Sequence, residues 1–124
     1  MKVLLSIKED YASQIFSGKK KFEFRKIIFR KDITTVVVYV TKPVGKVIGE
    51  FKIGDVICDS PENIWKRTKQ VAGVNESFFF SYFAGRNIGY AIEVSETILY
   101  DEAIDLHNIE NSNIKRPPQS FQYL

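Results

Sequence analysis

At 124 residues the chain fits one domain, residues 1–124, large enough to bury a core without metal or disulfide staples. Cys58 and His107 are the only cysteine and histidine, which excludes an intramolecular disulfide and a Cys/His zinc site. The net charge of +3 is unevenly laid out: Lys19, Lys20, Lys21, Arg25, Lys26, Arg30 and Lys31 crowd one stretch against a single acid, Glu23, whereas residues 87–114 hold Glu93, Glu96, Asp101, Glu102, Asp105 and Glu110 and no Lys or Arg. Such runs are either two solvated faces or, for the first, a pole that steers polyanions.

Met1 to Ser6 turns polar too soon for a signal peptide, and no apolar run reaches the roughly 18–20 residues of a membrane span. Both point to a cytoplasmic chain with no membrane partner. Val3-Leu4-Leu5 reads as a short buried strand. Ser6 stands three before Glu9, the spacing of a capping box, and Tyr11, Ala12, Ile15 and Phe16 follow at helical spacing until Gly18. Lys21 to Arg25 alternates, which puts Phe22 and Phe24 on one strand face and Lys21, Glu23 and Arg25 on the other. Thr34 to Thr41 is apolar enough for a central strand. Val44 to Ile57 reads as one long or two bent strands, with Gly45, Gly49 and Gly54 at the bends.

Ser60-Pro61-Glu62 is a helix start, after which Ile64, Trp65 and Thr68 point inward. Val74 to Phe83 is a second short helix with Phe79, Phe80 and Phe83 inward, ended by Gly85. Phe78 and Tyr82, four residues apart and off that face, are the best candidates for rings that stack on a base. Gly89 to Tyr100 returns to strand, with Tyr90, Ile92, Val94 and Ile98 on one face. Pro117 and Pro118 start the tail extended, and Phe121, Tyr123 or Leu124 docks it. Helices interrupting a mainly antiparallel strand series make an α+β fold with a curled sheet or small barrel.

Gly18, Lys20, Glu23 and Arg25 spell G-x-K-x-x-E-x-R at a helix-to-strand turn. Together with Leu4-Leu5-Ser6-Ile7-Lys8, Pro43-Val44-Gly45-Lys46-Val47, Gly49-Glu50-Phe51 and the stretch from Arg116 to Phe121, this resembles the ASCH (activating signal cointegrator homology) domain, in a small prokaryotic branch, over nearly the whole chain. The resemblance implies a PUA-like fold: a small, mainly antiparallel β-barrel with helices at its rim and a cleft beside the motif. It also implies RNA-related work, in transcription or translation regulation or in RNA processing. One bacterial branch hydrolyses acetylated cytidine with a Lys, a Thr and a Glu. Its Lys matches Lys20, its Thr falls on Glu23, so the nucleophile is missing, and Glu50 is the candidate for its third residue.

On this reading Lys8, Lys20, Glu23, Arg25, Lys26, Arg30, Gln119, Ser120 and Tyr123 bind RNA or a modified nucleoside. Arg25 and Lys20 would meet phosphate or base acceptors and Glu23 a base amino group. Spacing alone favours an ion-pair network closing the barrel end, and the resemblance is what raises the binding reading beside it. In the alternative of a nucleoside-directed hydrolase or ribonuclease, Lys20 and Glu23 are the acid/base pair. Ser6, Thr41, Ser77, Ser81 and Ser120 are scattered hydroxyls with no base fixed beside them, and His107 reads as a surface residue. A third alternative is a protein-interaction module using the acidic segment. No metal and no cofactor are expected, and the absence of G-x-x-x-x-G-K-[ST] excludes a P-loop.

Overall fold

A computed structural model describes residues 1–109 and 113–124. Strand β1 (Lys2–Ile7) buries Val3, Leu4, Leu5 and Ile7, and helix α1 (Glu9–Phe16) follows at once. Ser6 is not the helix cap. The strand runs through it to Ile7, Lys8 takes the N-cap without a side-chain hydrogen bond, and Ser6 Oγ donates instead to the Pro118 carbonyl at 2.7 Å. Gly18 ends the turn after α1 at φ +85°, where it carries no Cβ penalty.

Strand β2 (Phe22–Arg25) is short, and β3 (Thr35–Val40) is buried along its whole length. Strand β4 (Lys46–Asp59) is one long strand with register breaks near Ile48 and between Ile53 and Val56, the neighbourhoods of Gly49 and Gly54. Helix α2 (Pro61–Thr68) starts as its sequence demands: the Ser60 side chain accepts from the Asn63 N–H, and Pro61 holds the first turn. Replacing Ser60 by alanine should therefore cost about 1 kcal/mol of stability in urea denaturation.

Helix α3 (Glu76–Tyr82) is capped by Asn75, whose Oδ1 accepts from the Phe78 N–H at 2.8 Å. Strand β5 (Gly89–Ile104) outruns its expected end at Tyr100, and β6 (Phe121–Tyr123) docks the tail. Ile98 does not share the buried face of Ile92 and Val94 but is exposed. Between the pairs Ile53–Val94 and Lys52–Glu96, β5 advances two residues for one of β4, and that extra residue flips the alternation.

The six strands form one mixed sheet in the order β2-β5-β4-β3-β1-β6, with β1 and β3 parallel and the other pairs antiparallel. The sheet curls into a half-barrel whose opposite edges are bridged by a side chain: Arg25 on β2 donates through Nη2 to the Ser120 carbonyl, just before β6, at 2.6 Å. The main core lies between the sheet and α1, around Val3, Ile15, Val38, Phe51 and Ile92. A second core joins α2 and α3 to β2 and β5 through Phe24, Ile64, Phe79, Phe83 and Ala91. Each fully buried side chain of this kind contributes roughly 1.5–3 kcal/mol, so these clusters fix the frame on which the polar groups sit.

Candidate functional site

The C-terminal ends of the parallel pair β1 and β3 open towards α1, α3 and the tail, and a cleft of about 520 Å³ lies there. Ser6, Ile7 and Lys8 reach it from β1 and its end, and Tyr39, Thr41 and Lys42 from β3 and its end. Tyr11 comes from α1, Phe78, Phe79 and Tyr82 from α3, and Pro117, Pro118 and Gln119 from the tail. Lys20, Glu23, Phe24 and Arg25 complete it around β2. Alternation sends Phe24 and its neighbours Glu23 and Arg25 to opposite faces, so the cleft meets both sides of this edge strand.

Lys20 is the strongest anomaly of the molecule. It is a lysine with 1 % of its surface exposed. Its Nζ donates to the Ala72 carbonyl at 2.7 Å and lies 4.6 Å from the Phe24 ring centroid and 5.5 Å from that of Tyr11. The side chain thus stays on the Phe24 side, as strand parity dictates. Burial pushes its ammonium below the ordinary lysine range, partly opposed by the Glu23 carboxylate.

Gly73 makes room for it. A Cβ there would stand 2.6 Å from Lys20 Cβ and Cγ, and the residue sits at φ +70°. Gly73→Ala combines backbone strain with a clash against the rigid root of the lysine, and should cost about 2 kcal/mol in thermal or urea unfolding.

Glu23 is buried beside this amine, and its Oε2 accepts from Arg25 Nη1 at 3.1 Å. Arg25 therefore holds two acceptors at once, Glu23 and the Ser120 carbonyl. Phe78 and Tyr82 stand with rings 10° from parallel and centroids 6.4 Å apart on the cleft wall, and Phe78 is 38 % exposed. Burial raises the phenols of Tyr82 and Tyr11 above the ordinary range. The arrangement offers a flat apolar wall, a buried amine, a carboxylate and a bidentate cation. This is a donor and acceptor set for a planar polar ring carrying an anion.

Of the residues singled out from sequence, Lys8, Lys20, Glu23, Arg25 and Gln119 come together in the cleft. Ser120 meets it only through the carbonyl that Arg25 holds. Lys26 lies at the rim, its Nζ 4.8 Å above the Tyr82 ring. Arg30 and Tyr123 do not line it: the Tyr123 hydroxyl accepts from the Arg30 backbone N–H at 2.8 Å, and its ring packs on Phe121. Glu50 is engaged elsewhere, with the Tyr100 hydroxyl at 2.7 Å and Lys2 at 3.3 Å. Ser6 and Thr41 line the cleft, while Ser77 and Ser81 do not.

His107 is exposed in a single helical turn. In the acidic segment Asp105 pairs with Lys46 and Glu96 with Lys52, and Glu110 lies outside the described residues. Among the described residues no group of three or more His, Cys, Asp or Glu side chains is placed to hold a metal ion, and no helix is long and apolar enough to cross a membrane.

Sequence reasoning missed Tyr11, Tyr39, Lys42 and Gly73, together with the proline wall of Pro117 and Pro118. Nothing local marks the first three; they meet because β1 and β3 pair in parallel and α1, which carries Tyr11, starts at the end of β1.

Comparison with known proteins agrees with this fold. The ASCH domain family matches residues 5–115. The ASCH domain-containing ribonuclease of Zymomonas mobilis is 27% identical over 128 residues, covering 98% of this chain and 82% of that protein. The chain also matches ATP synthase subunit alpha of Ureaplasma parvum (28% identity) and large ribosomal subunit protein uL22 of the same species (26% identity), each over 98% of the chain. It spans only 15% and 39% of the lengths of those two proteins.

The crystal structure of ASCH from Zymomonas mobilis superposes with a TM-score of 0.88 at 27% identity, covering 99% of this chain and 87% of that one. A tyrosine-to-phenylalanine variant of the same protein gives 0.89 at 26% identity, over 99% and 89%. The match over most of the sequence and the shared half-barrel lead to one assignment: the chain belongs to the ASCH domain family.

Proposed function

We propose that the chain, acting as a single ASCH unit over residues 1–124 in the cytoplasm, binds single-stranded RNA by taking one unstacked nucleotide into the cleft. The observation that carries this reading is the trio of buried Lys20, buried Glu23 and half-buried Arg25 set against the parallel rings of Phe78 and Tyr82. A splayed base stacks on the rings. Its polar edge, modified or not, meets Glu23 and Lys20, and Arg25, Lys8 and Lys42 face its phosphate. A duplex keeps its bases stacked away and does not fit. We place such binding in RNA processing or in the regulation of transcription or translation, the work that the family resemblance implies.

The test is titration of a labelled single-stranded RNA at two salt concentrations, with duplex DNA as control. Single-strand binding should weaken with salt at a log–log slope of about −0.7 per phosphate contact. Phe78→Ala should lose about 1–3 kcal/mol of affinity with little effect on folding, since Phe78 is the most exposed ring of the wall. Equal affinity for duplex DNA, or no RNA binding at low salt, would overturn the reading.

A second reading, cleavage of the bound RNA, is favoured by the lowered basicity of Lys20 and by the name of the Zymomonas relative. In its deprotonated form Lys20 would take the proton of an attacking ribose 2′-hydroxyl, whose oxygen closes a 2′,3′-cyclic phosphate as the 5′-oxygen leaves with a proton from water. Cyclic-phosphate ends on incubated RNA, absent with Lys20→Met, are the expected product; their absence with wild-type protein removes this reading and leaves the binding one.

A further inference from the structure

Beyond Tyr82 the surface falls into a second depression of about 490 Å³. Lys26, Arg30 and Arg86 line it, with Ile27, Ile88 and Tyr90 between them. All three cations are exposed, and among the described residues none is within ion-pair distance of a carboxylate, whereas Lys2, Arg25, Lys46 and Lys52 each have an acid partner. The isoleucines are unusually bare, Ile27 at 49 % and Ile88 at 46 % exposure. The lining thus alternates uncompensated positive charge with flat apolar surface and contributes no carboxylate.

The depression is joined to the cleft. Lys26 belongs to its wall and lies over the ring of Tyr82, which belongs to the wall of the cleft. Arg25, inside the cleft, is the chain neighbour of Lys26 and the cross-strand partner of Tyr90, inside the depression. The charges of both Arg25 and Arg86 reach the Tyr82 phenol, so this one ring divides two basic compartments.

We infer that this groove carries the neighbouring nucleotides of the same RNA strand whose unstacked nucleotide enters the cleft, with Lys26, Arg30 and Arg86 on successive phosphates and Ile27 and Ile88 under a sugar or base face. The inference rests on the RNA reading of the cleft and extends it to a footprint. A single strand has the matching pattern, anionic phosphates spaced by flat apolar rings, and needs no acid in its path. An acidic peptide with apolar residues would meet the same side chains, but the continuity through Tyr82 and Lys26 favours one ligand that spans both compartments.

Three ligands test it by NMR titration: a single-stranded RNA dinucleotide, an octanucleotide and a glutamate-rich peptide, each at two salt concentrations, with wild type and the double variant Arg30→Ala/Arg86→Ala. Both substituted residues are exposed, so the fold should hold. The octanucleotide should bind at least tenfold more tightly than the dinucleotide. In the double variant it should lose that advantage, and its salt slope should become shallower by about 1.4, or 0.7 per cation removed, while dinucleotide binding is unchanged.

Equal affinities for the two lengths, or an unaltered slope in the variant, overturn the groove and leave the cleft standing. Octanucleotide binding that the variant abolishes, with no dinucleotide binding to wild type, keeps the groove and sinks the cleft. Peptide binding as tight as the octanucleotide overturns the RNA assignment of the groove, and failure of both RNAs overturns groove and cleft together.

Discussion

Replacing Arg25 by alanine is expected to destabilise the protein by about 3 kcal/mol and to abolish RNA binding. The guanidinium donates to two groups at once: the Glu23 carboxylate, whose side chain is 8% exposed, and the Ser120 carbonyl. Removing one partner of a largely buried pair leaves the other charge stranded, and that penalty, more than the lost attraction, sets the magnitude. For a chain of this size the melting temperature should fall by roughly 10 °C.

A double-mutant cycle separates the causes. Glu23→Gln added to Arg25→Ala removes the stranded charge and should recover a good part of the stability, but none of the binding. The hold on Ser120 is not recovered, so amide exchange should stay accelerated in Phe121–Tyr123, the strand next to the broken contact. Arg25→Ala as stable as wild type would show that Glu23 finds water or another cation, and would remove the edge-to-edge bridge from the account of the half-barrel.

Much of the fold was legible wherever period and punctuation spoke together. Ser60-Pro61 and the alternation through Phe22 and Phe24 are local rules, and the α2 start and β2 obey them. The central position of β3 followed from an apolar run too continuous for a half-exposed strand. Where local rules misled, a longer-range interaction had won. Ser6 has the spacing of a cap, yet pairing with Tyr39 keeps it in the sheet and turns its hydroxyl to the tail. Ile98 has the right parity, yet a bulge after Val94 turns it outward.

The site was half legible for the same reason. Lys20, Glu23 and Arg25 sit within six residues and carry a motif, so they could be named from sequence, but which of them is buried could not. That answer lies in Gly73, fifty-three residues on, whose missing Cβ is the space the lysine occupies. Arg30 shares the basic stretch with Lys26 but stays out of the cleft and lines the neighbouring groove, because the chain after β2 leaves the sheet edge and its backbone is held by Tyr123. Charge clustering in sequence gives a region; only the pairing of strands decides which charges face the ligand.

Lys20→Met should separate function from folding. Removing the ammonium relieves the desolvation of a buried charge, and the Glu23 carboxylate keeps Arg25 as its ion-pair partner, so no charge is left stranded. Against that stand the lost donor to the Ala72 carbonyl, worth about 1–3 kcal/mol, and the lost attraction to the Phe24 ring, about 0.5–1 kcal/mol. Methionine keeps the volume and packs on the same rings. The two sides nearly cancel, so the stability at neutral pH should move by no more than about 1 kcal/mol. Affinity for single-stranded RNA should fall by at least tenfold, about 1.4 kcal/mol, and cleavage, where it occurs, by about 10²–10⁴-fold.

The pH dependence gives a second, independent check. Lys20 holds its proton less firmly in the folded chain than its ordinary value of 10.5, so between the folded value and 10.5 the unfolded state binds more protons. Stability carried by this group therefore rises with pH through that window, and the cost of burying the charge is present in full only below it. The methionine variant has no such group. Its stability relative to wild type should be greatest at low and neutral pH and should decline as pH approaches 10.5, all other titrations cancelling in the difference. A difference that is flat with pH would mean that Lys20 is as easily charged inside the fold as outside, and would remove the amine as a proton acceptor for RNA cleavage.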